Sequence, residues 1–476
     1  MTSTARRTSV LTVVLLVIAA VALLVVVVGG LLVYRALAGD GQQPEEVLPG
    51  DALAYVEIDL DPPAGQKVAL TRLLTRLPEL EDAEPDEVQT DVIREVVEGQ
   101  LGLDYEGDVE PWLGQRLGVA VLDLDDEEPA VVLALQTTDA EAAQDSLLRA
   151  ADDVGSRLAT AGRGEYVLLA EDETVLRDAV DAADEGTLAE ADRYGDDLDA
   201  LGGDRVVTAW VDLDAVGAAL RRDEQGSEEL GAAGLGAGLP GLGGLDDLSG
   251  RVVVALRAAG DDVLELEARG RGLPDGSRLP ADGDTAADLR AALGAAGDAE
   301  LLVGLADVSA YLELLASSGL AELVTEGDPD VAARLTALDL GALVAGFDLA
   351  DEAVELRVTS GDPEATRDDL REVLADLGAD EQELADVEAL DVEDGALVFR
   401  EGRLSGGGAA QALDALLGDL DGDLAGAFVV TPEAFADDLS AQDEDLQALV
   451  DAVEAFGVAV SRDGDDDVYR ARLVLR

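Results

Sequence analysis

The sequence predicts an α+β protein: an N-terminal transmembrane helix followed by antiparallel sheets packed on helices, with an internal duplication. Three observations carry that expectation. Residues 10–34 hold no charged side chain. Further on, paired apolar runs flank short acidic or glycine turns, the pattern of hairpins and therefore of antiparallel pairing. The order of strand-like and helix-like segments then occurs twice, over 48–270 and 296–476.

The run VLTVVLLVIAAVALLVVVVGGLLVY (10–34) is long enough to cross a hydrocarbon core of ~30 Å as a helix. Val10, Leu16, Val25 and Leu32 would lie within it, and Tyr34 suits the interface. Arg6 and Arg7 precede the run, and the chain turns acidic after Arg35. The positive-inside rule then puts residues 1–9 in the cytoplasm. A cleaved signal peptide is the competing reading, because Ala36-Leu37-Ala38 has the small residues of a cleavage site. Its core usually spans only ~7–15 residues, and Arg35 lies close to the cut, which favours a single-pass signal-anchor. Either way the remaining chain is expected to work as the extracytoplasmic part of a cell-membrane protein.

Residues 35–47 read as a polar linker. ALAYVEIDL (52–60) is an apolar run that ends by alternating, so a strand. Residues 66–77 have helical spacing, with Val68, Leu70, Leu73, Leu74 and Leu77, and 86–101 form a second amphipathic pattern. Strands over 117–124 and 130–136 flank an acidic turn. A helix over 139–153 follows, with Asp139 as its N-cap. A strand over 166–170, a helix over 173–183, a strand over 206–213 containing Trp210, and a hairpin over 251–258 and 263–268 complete the first unit.

After a connector over 271–295 the order returns. A strand over 300–306 leads to a helix over 309–315 and a hairpin over 343–349 and 353–358. The next helix starts after TSGDPEATRDDL, beside TTDAEAAQDSLL in the first unit. A strand over 397–400, a helix over 409–417, a strand over 425–430, a helix over 432–439 and a hairpin over 456–462 and 468–475 close the chain. Within the first unit, 226–250 is a Gly/Leu-rich stretch. It is read as a flexible low-complexity loop, or alternatively as a mobile apolar lid.

Composition excludes more than any motif proposes. The chain has 476 residues and neither Cys nor His. Without them there is no disulfide, no thiol nucleophile, no Ser–His–Asp or Cys–His pair and no HExxH zinc site. The 104 Asp and Glu against 32 Lys and Arg leave a net charge of −72. Phosphate contacts need clustered cations, so no nucleic acid is expected as a partner. At 48% hydrophobic residues the chain can bury a sizeable core, so the acidity reads as a solvated surface.

The candidate chemistry is thin. Glu57, Asp59 and Asp61 alternate, hence share one strand face, and run into Pro62 and Pro63. Paired carboxylates bind cations or move protons, but a solvated strand face leading to a turn gives the same pattern. Lys67 is the only lysine and is placed to pair with Asp59 or Asp61. Acidic clusters at 123–128, 419–423 and 463–467 lack the glycine and glutamate spacing of an EF-hand and read as hairpin turns. Trp112 and Trp210 read as core anchors. No Walker A or dinucleotide-binding glycine pattern is present, so no cofactor and no catalytic or metal-binding residue is expected.

Three segments together resemble a known family: LPGDALAYVEIDLDPPAGQKVALTRLLTRLPEL (48–80), DYEGDVEPWLGQRLGVAVL (104–122) and GEYVLLAEDETVLRDAV (164–180). They are similar to domain-of-unknown-function family 3352. The most specific stretch is DPPAGQK, from Asp61 and Pro62 through Gln66 to Lys67, and the likeness is strongest over 48–215. It implies a single-pass membrane protein of high-GC Gram-positive bacteria and supplies no catalytic residue. The expected function is therefore a non-catalytic binding or envelope-associated module. The alternative is a carrier or sensor of a lipid or other apolar ligand. A carboxylate-based hydrolase is the third reading, and needs two facing carboxylates in a cleft.

Overall fold

The structure is a computed structural model that describes residues 41–60, 62–76, 94, 104–123, 129–155, 157–222, 248–274, 280–296, 299–317, 334, 337–338, 340–349, 351–376, 381–404, 408–418, 420, 422–435 and 450–476. The chain divides into two compact units, Met1–Pro274 and Asp275–Arg476. Sixteen strands, eight in each unit, are found among the described residues, and all pair antiparallel.

The N-terminal unit contains β1 (Ala54–Asp59), α1 (Ala64–Leu74), β2 (Leu113–Leu122), β3 (Ala130–Thr137), α2 (Ala140–Val154), β4 (Ala159–Arg163), β5 (Tyr166–Ala170), α3 (Glu173–Glu185), α4 (Asp192–Leu201), β6 (Val207–Asp212), α5 (Leu213–Arg222), β7 (Arg251–Ala258) and β8 (Val263–Arg271). Its strands run in the order β4-β5-β3-β2-β1-β6-β7-β8. The C-terminal unit contains α6 (Gly283–Ala295), β9 (Leu301–Leu305), α7 (Val308–Ser317), β10 (Leu343–Asp348), β11 (Ala353–Thr359), α8 (Pro363–Asp376), α9 (Glu381–Glu388), β12 (Asp391–Glu393), β13 (Ala396–Glu401), α10 (Ala409–Leu417), β14 (Asp423–Val430), β15 (Val453–Asp463) and β16 (Asp466–Leu475). Its order is β12-β13-β11-β10-β9-β14-β15-β16, the first order with every strand advanced by eight. In both units the first strand is central and the later strands are added on either side.

The expected fold class is corrected here. No helix among the described residues is long and apolar enough to cross a membrane. The transmembrane helix expected over 10–34 (Val10, Leu16, Val25, Leu32, Tyr34) lies outside the described residues. The membrane, single-pass and signal-anchor expectations thus find no candidate helix among the described residues. Nor do the strands form separate hairpin sheets. Within each unit β1 or β9 joins its two flanks into one continuous eight-stranded ladder.

Acidic residues do local work that the composition hides. Asp139, Asp172 and Asp282 each accept backbone N–H bonds at the start of α2, α3 and α6, satisfying donors that a helix leaves orphaned. Gly155 ends α2 at φ 69, in the left-handed region that favours glycine. Several elements escaped the sequence pattern, α9 and β12 among them. β4 reads ATAGR and has no alternation, and α4 and α6 each set a few apolar positions among aspartates and alanines.

The core of the N-terminal unit is aromatic. Tyr55 of β1 and Trp210 of β6 sit opposite each other in the ladder. Tyr194 of α4 packs edge-on to both, at ring-centroid distances of 5.6 and 5.8 Å. Asp197, one turn on and fully buried, accepts from Trp210 Nε1 at 2.8 Å, from Arg251 Nε at 2.6 Å and from Arg271 Nη1 at 3.0 Å. This one carboxylate ties α4 to three strands.

Truncating Asp197 leaves two guanidinium groups and an indole N–H without their acceptor. Asp197→Ala is expected to destabilise the N-terminal unit by about 2–4 kcal/mol. That is below the fully buried case, because the arginines keep 28% and 27% of their side chains exposed. Both tryptophans, Trp112 and Trp210, lie in this unit, so urea unfolding followed by tryptophan fluorescence reads it selectively. An unchanged midpoint would contradict the tie.

Candidate functional site

The motif singled out in the sequence resolves as a structural corner. Pro62 is buried where β1 turns into α1. Gln66, on the first turn of α1, donates from Nε2 to the Ala258 carbonyl at 3.0 Å and accepts from the Ala258 N–H at 2.9 Å. Its amide thus satisfies the backbone at the end of β7, as another strand would. Lys67 is buried beside it, within electrostatic reach of Asp59. Asp59 takes Arg116 of β2 as its ion-pair partner, with Nε–Oδ2 at 3.6 Å. Asp61 lies outside the described residues. Trp112 is buried and donates from Nε1 to the Asp108 carbonyl at 2.5 Å. It belongs to a small apolar cluster with Tyr105, Val109, Ala143, Leu147, Val167 and Leu169.

The acidic clusters behave as turns where they are described. Asp123 pairs with Arg222, 124–128 lie outside the described residues, and Asp463–Asp466 form the β15–β16 turn around Gly464 at φ 63. Of 226–250, residues 226–247 lie outside the described residues, as does the pattern over 86–101 apart from Arg94. Among the described residues no group of three His, Cys, Asp or Glu is placed to hold a metal ion.

Glu57 does not sit on a solvated face. Only 8% of it is exposed, because residues 41–50 cross the sheet above it. Pro44 of that strap lies over Gly118, the residue opposite Glu57 on β2; a Cβ added at Gly118 would come within 2.5 Å of Pro44 Cβ. Tyr55, two positions before Glu57 on the same face, donates to Glu45 Oε2 of the strap at 3.0 Å. Burial pushes the Glu57 carboxyl up to about 8. That value includes the charges of Glu45 and Asp59, which act with burial, and those of Arg205 and Arg116, which oppose it. Burial also raises Glu45. The Tyr194 hydroxyl is buried beside them without a hydrogen bond of good geometry.

The second candidate lies on the C-terminal unit and was not singled out in the sequence. Antiparallel partners point their side chains to the same side of a sheet. Reading the register across β13, β11, β10, β9, β14, β15 and β16 gives one row: Phe399, Leu356, Ala345, Val303, Phe428, Val458, Ala471. The two adjacent rows on this side include Leu343, Leu305, Val460 and Tyr469, and Phe347, Leu301, Phe456 and Leu473. Glu401, at the margin, is the one charged residue in the three rows.

This face is open. Phe399, Phe428, Phe456 and Tyr469 are between 36% and 38% exposed, and most of the remaining positions are half-buried. The opposite face is closed by α6 and α10. There several alternate positions are small: an added Cβ at Gly304 would meet Leu289 of α6 at 2.7 Å, and one at Gly457 would meet Leu416 of α10 at 2.7 Å. The helices press onto these glycines, with Leu302, Val344 and Val429 buried on the same side, and most of the larger apolar side chains of these strands point away from them. From the first to the seventh strand the rows span roughly 29 Å, and the three rows cover roughly 14 Å along the strands, a footprint of about 400 Å². An apolar patch of that size on a soluble protein is commonly a binding surface. Tyr311 of α7 reaches over one end, above Gly426.

The corresponding face of the N-terminal unit is better covered. α1 brings Leu70 and Leu73, and the turn Tyr105–Val109 with α2 covers Leu133, Leu135, Val167 and Leu169.

The raised Glu57 carboxyl fixes the sign of a pH dependence. Its folded-state value lies above the ordinary carboxylate value, so the folded protein holds the extra proton between about pH 4.5 and about 8. The stability it contributes is complete below pH 4.5 and lost as pH rises through about 8. Glu57→Gln mimics the protonated acid. It is expected to unfold like the parent at pH 5 and to be more stable by roughly 3–5 kcal/mol at pH 9. Tryptophan-monitored unfolding at the two pH values checks this, and an equal difference at both would refute it.

No curated protein and no solved structure matches the chain. Residues 10–161 match the family described as Protein of unknown function (DUF3352), the family that the segments 48–80 and 104–122 resemble.

Proposed function

We propose that the protein is a non-catalytic binding module that holds a neutral apolar ligand, of the lipid class, on the open face of its C-terminal unit. This narrows the broader expectation of a binding or envelope-associated module to the carrier or sensor reading. One observation carries it: most of the larger apolar side chains of β9, β10, β14 and β15, among them Phe347, Phe428 and Phe456, point to the side that α6 and α10 leave uncovered. A sheet built only to pack on helices would place them underneath.

Charge selects among occupants. A net charge of −72 on each copy opposes self-association through this face. It also opposes an anionic partner. A neutral apolar chain meets no such barrier, and each methylene taken out of water contributes about 0.8 kcal/mol. The Tyr469 hydroxyl at the edge offers a polar handle at the margin of an otherwise apolar surface.

The test uses the full chain and the neutral apolar fluorophore N-phenyl-1-naphthylamine. Saturable binding is expected. Val303→Asp and Phe428→Asp, in the middle of the face, should weaken it at least tenfold with the circular dichroism spectrum unchanged. Val68→Asp, at an exposed position on α1, should leave it unchanged. Native mass spectrometry with organic extraction of the purified protein should release a neutral lipid in stoichiometric amount. Absence of saturable binding, or equal binding by the two face variants, overturns the reading; a co-purifying protein bound through the same face would point to the interaction module instead.

A further inference from the structure

The strap over 41–50 carries an independent observation in the N-terminal unit. Its two halves are held differently. The inner half is fastened by backbone bonds: Leu188 N–H donates to the Leu48 carbonyl at 2.9 Å, and Gly50 N–H to the Gly186 carbonyl at 3.0 Å. The outer half is held mainly by side chains. Tyr166 donates to the Gln42 carbonyl at 2.7 Å, Gln42 N–H donates to Glu165 Oε2 at 3.1 Å, Arg116 donates to the Gly41 carbonyl at 3.3 Å, and Tyr55 donates to Glu45. Glu45 is thereby brought down onto the face that carries Glu57.

Glu57 is a buried carboxyl with no hydrogen bond and no ion pair to its side chain among the described residues. The groups that face it come from every element around it: Glu45 of the strap, Asp59 and Tyr55 of β1, Arg116 of β2, Tyr166 of β5, Tyr194 of α4, and Arg205 just before β6. Arg116 is already engaged by Asp59 and the Gly41 carbonyl. Arg205 acts only at a distance, and its guanidinium reaches the Gly203 carbonyl. The three tyrosines carry no charge, and burial keeps them neutral. Two carboxylates cannot both be charged there cheaply, since each desolvated charge would face a like charge. A single proton resolves this: Glu57 stays neutral, while Glu45 accepts from Tyr55.

We infer that Glu45 and Glu57 form a proton-dependent latch that fastens the strap. With one proton between them residues 41–46 lie closed on the sheet, and with both carboxyls ionised this outer half lifts while the inner half stays paired to Leu188 and Gly186.

The chain has no cysteine, so Gln43→Cys gives a unique site for a nitroxide on the outer strap. In the full-length protein the label is expected to be immobile at pH 6 and to gain a mobile component with a midpoint near pH 8. Glu57→Gln and Glu45→Gln, each made in the labelled background, should keep the label immobile to at least one pH unit higher. Circular dichroism and tryptophan fluorescence at each pH show that the unit remains folded. A label whose mobility is constant from pH 6 to 10, or a transition that neither variant moves, overturns the latch.

Discussion

A strand in the middle of a sheet has two faces, and here both are apolar. That constraint organises the C-terminal unit. α6 and α10 cover one side, and the sequence meets them there with glycines, Gly304 under Leu289 and Gly457 under Leu416. Close approach of this kind lets a helix fill its own grooves with backbone, at the cost of side-chain area on the covered face. The apolar area then resides on the other face, with Phe428, Phe456 and the neighbouring valines and leucines. An exposed surface of this composition is an aggregation hazard unless something occupies it, and the strong net negative charge that keeps copies apart is the natural counterweight.

The N-terminal unit meets the same constraint with polar chemistry inside. Asp197 is affordable in the core because three donors converge on it. Glu57 has no such set. Its burial follows from the strap that lies above it, and the strap in turn depends on what Glu57 and Glu45 do with a proton. One carboxylate is a fixed structural tie and the other a conditional one. The difference is the number of donors within reach, since both are buried.

Much of the fold was legible because the strands and several helices declare themselves locally. The strand over 52–60, the helix over 409–417 and the hairpin over 251–268 follow from period-two or period-3.6 patterns and a glycine turn. Edge strand β4 and helices α4 and α6 did not, since their burial comes from partners distant in the chain. The open face was missed for a related reason. Segments such as LLVGL and LVAGFD are apolar at nearly every position, so they read as uniformly buried strands. The alternation of size within them, Leu301, Val303 and Leu305 against Leu302 and Gly304, was the available signal. Its meaning needed the register that aligns it with Phe428 and Val458. Glu57 was misjudged because nothing near it in sequence announces the strap; the alternation of Glu57, Asp59 and Asp61 suggests water, and ten residues further upstream supply the cover.

The two units share a strand order but not a surface. In the first, the Tyr105–Val109 turn, Trp112 and the Ala143–Leu147 side of α2 fill the face over β3 and β5. In the second, the corresponding strands β11 and β13 carry Leu356 and Phe399, with Phe399 exposed. The same ladder therefore supports a closed face and an open one, and the change needs no new strand, only different cover. Stability and exposure are thus separable in this architecture. The closed unit holds the aromatic core, the Asp197 tie and the strap, all of which need rigid burial. The open unit keeps α6 and α10 on one side and can leave the other to a ligand without loosening the ladder, because its backbone bonds run strand to strand and do not depend on what lies above the side chains.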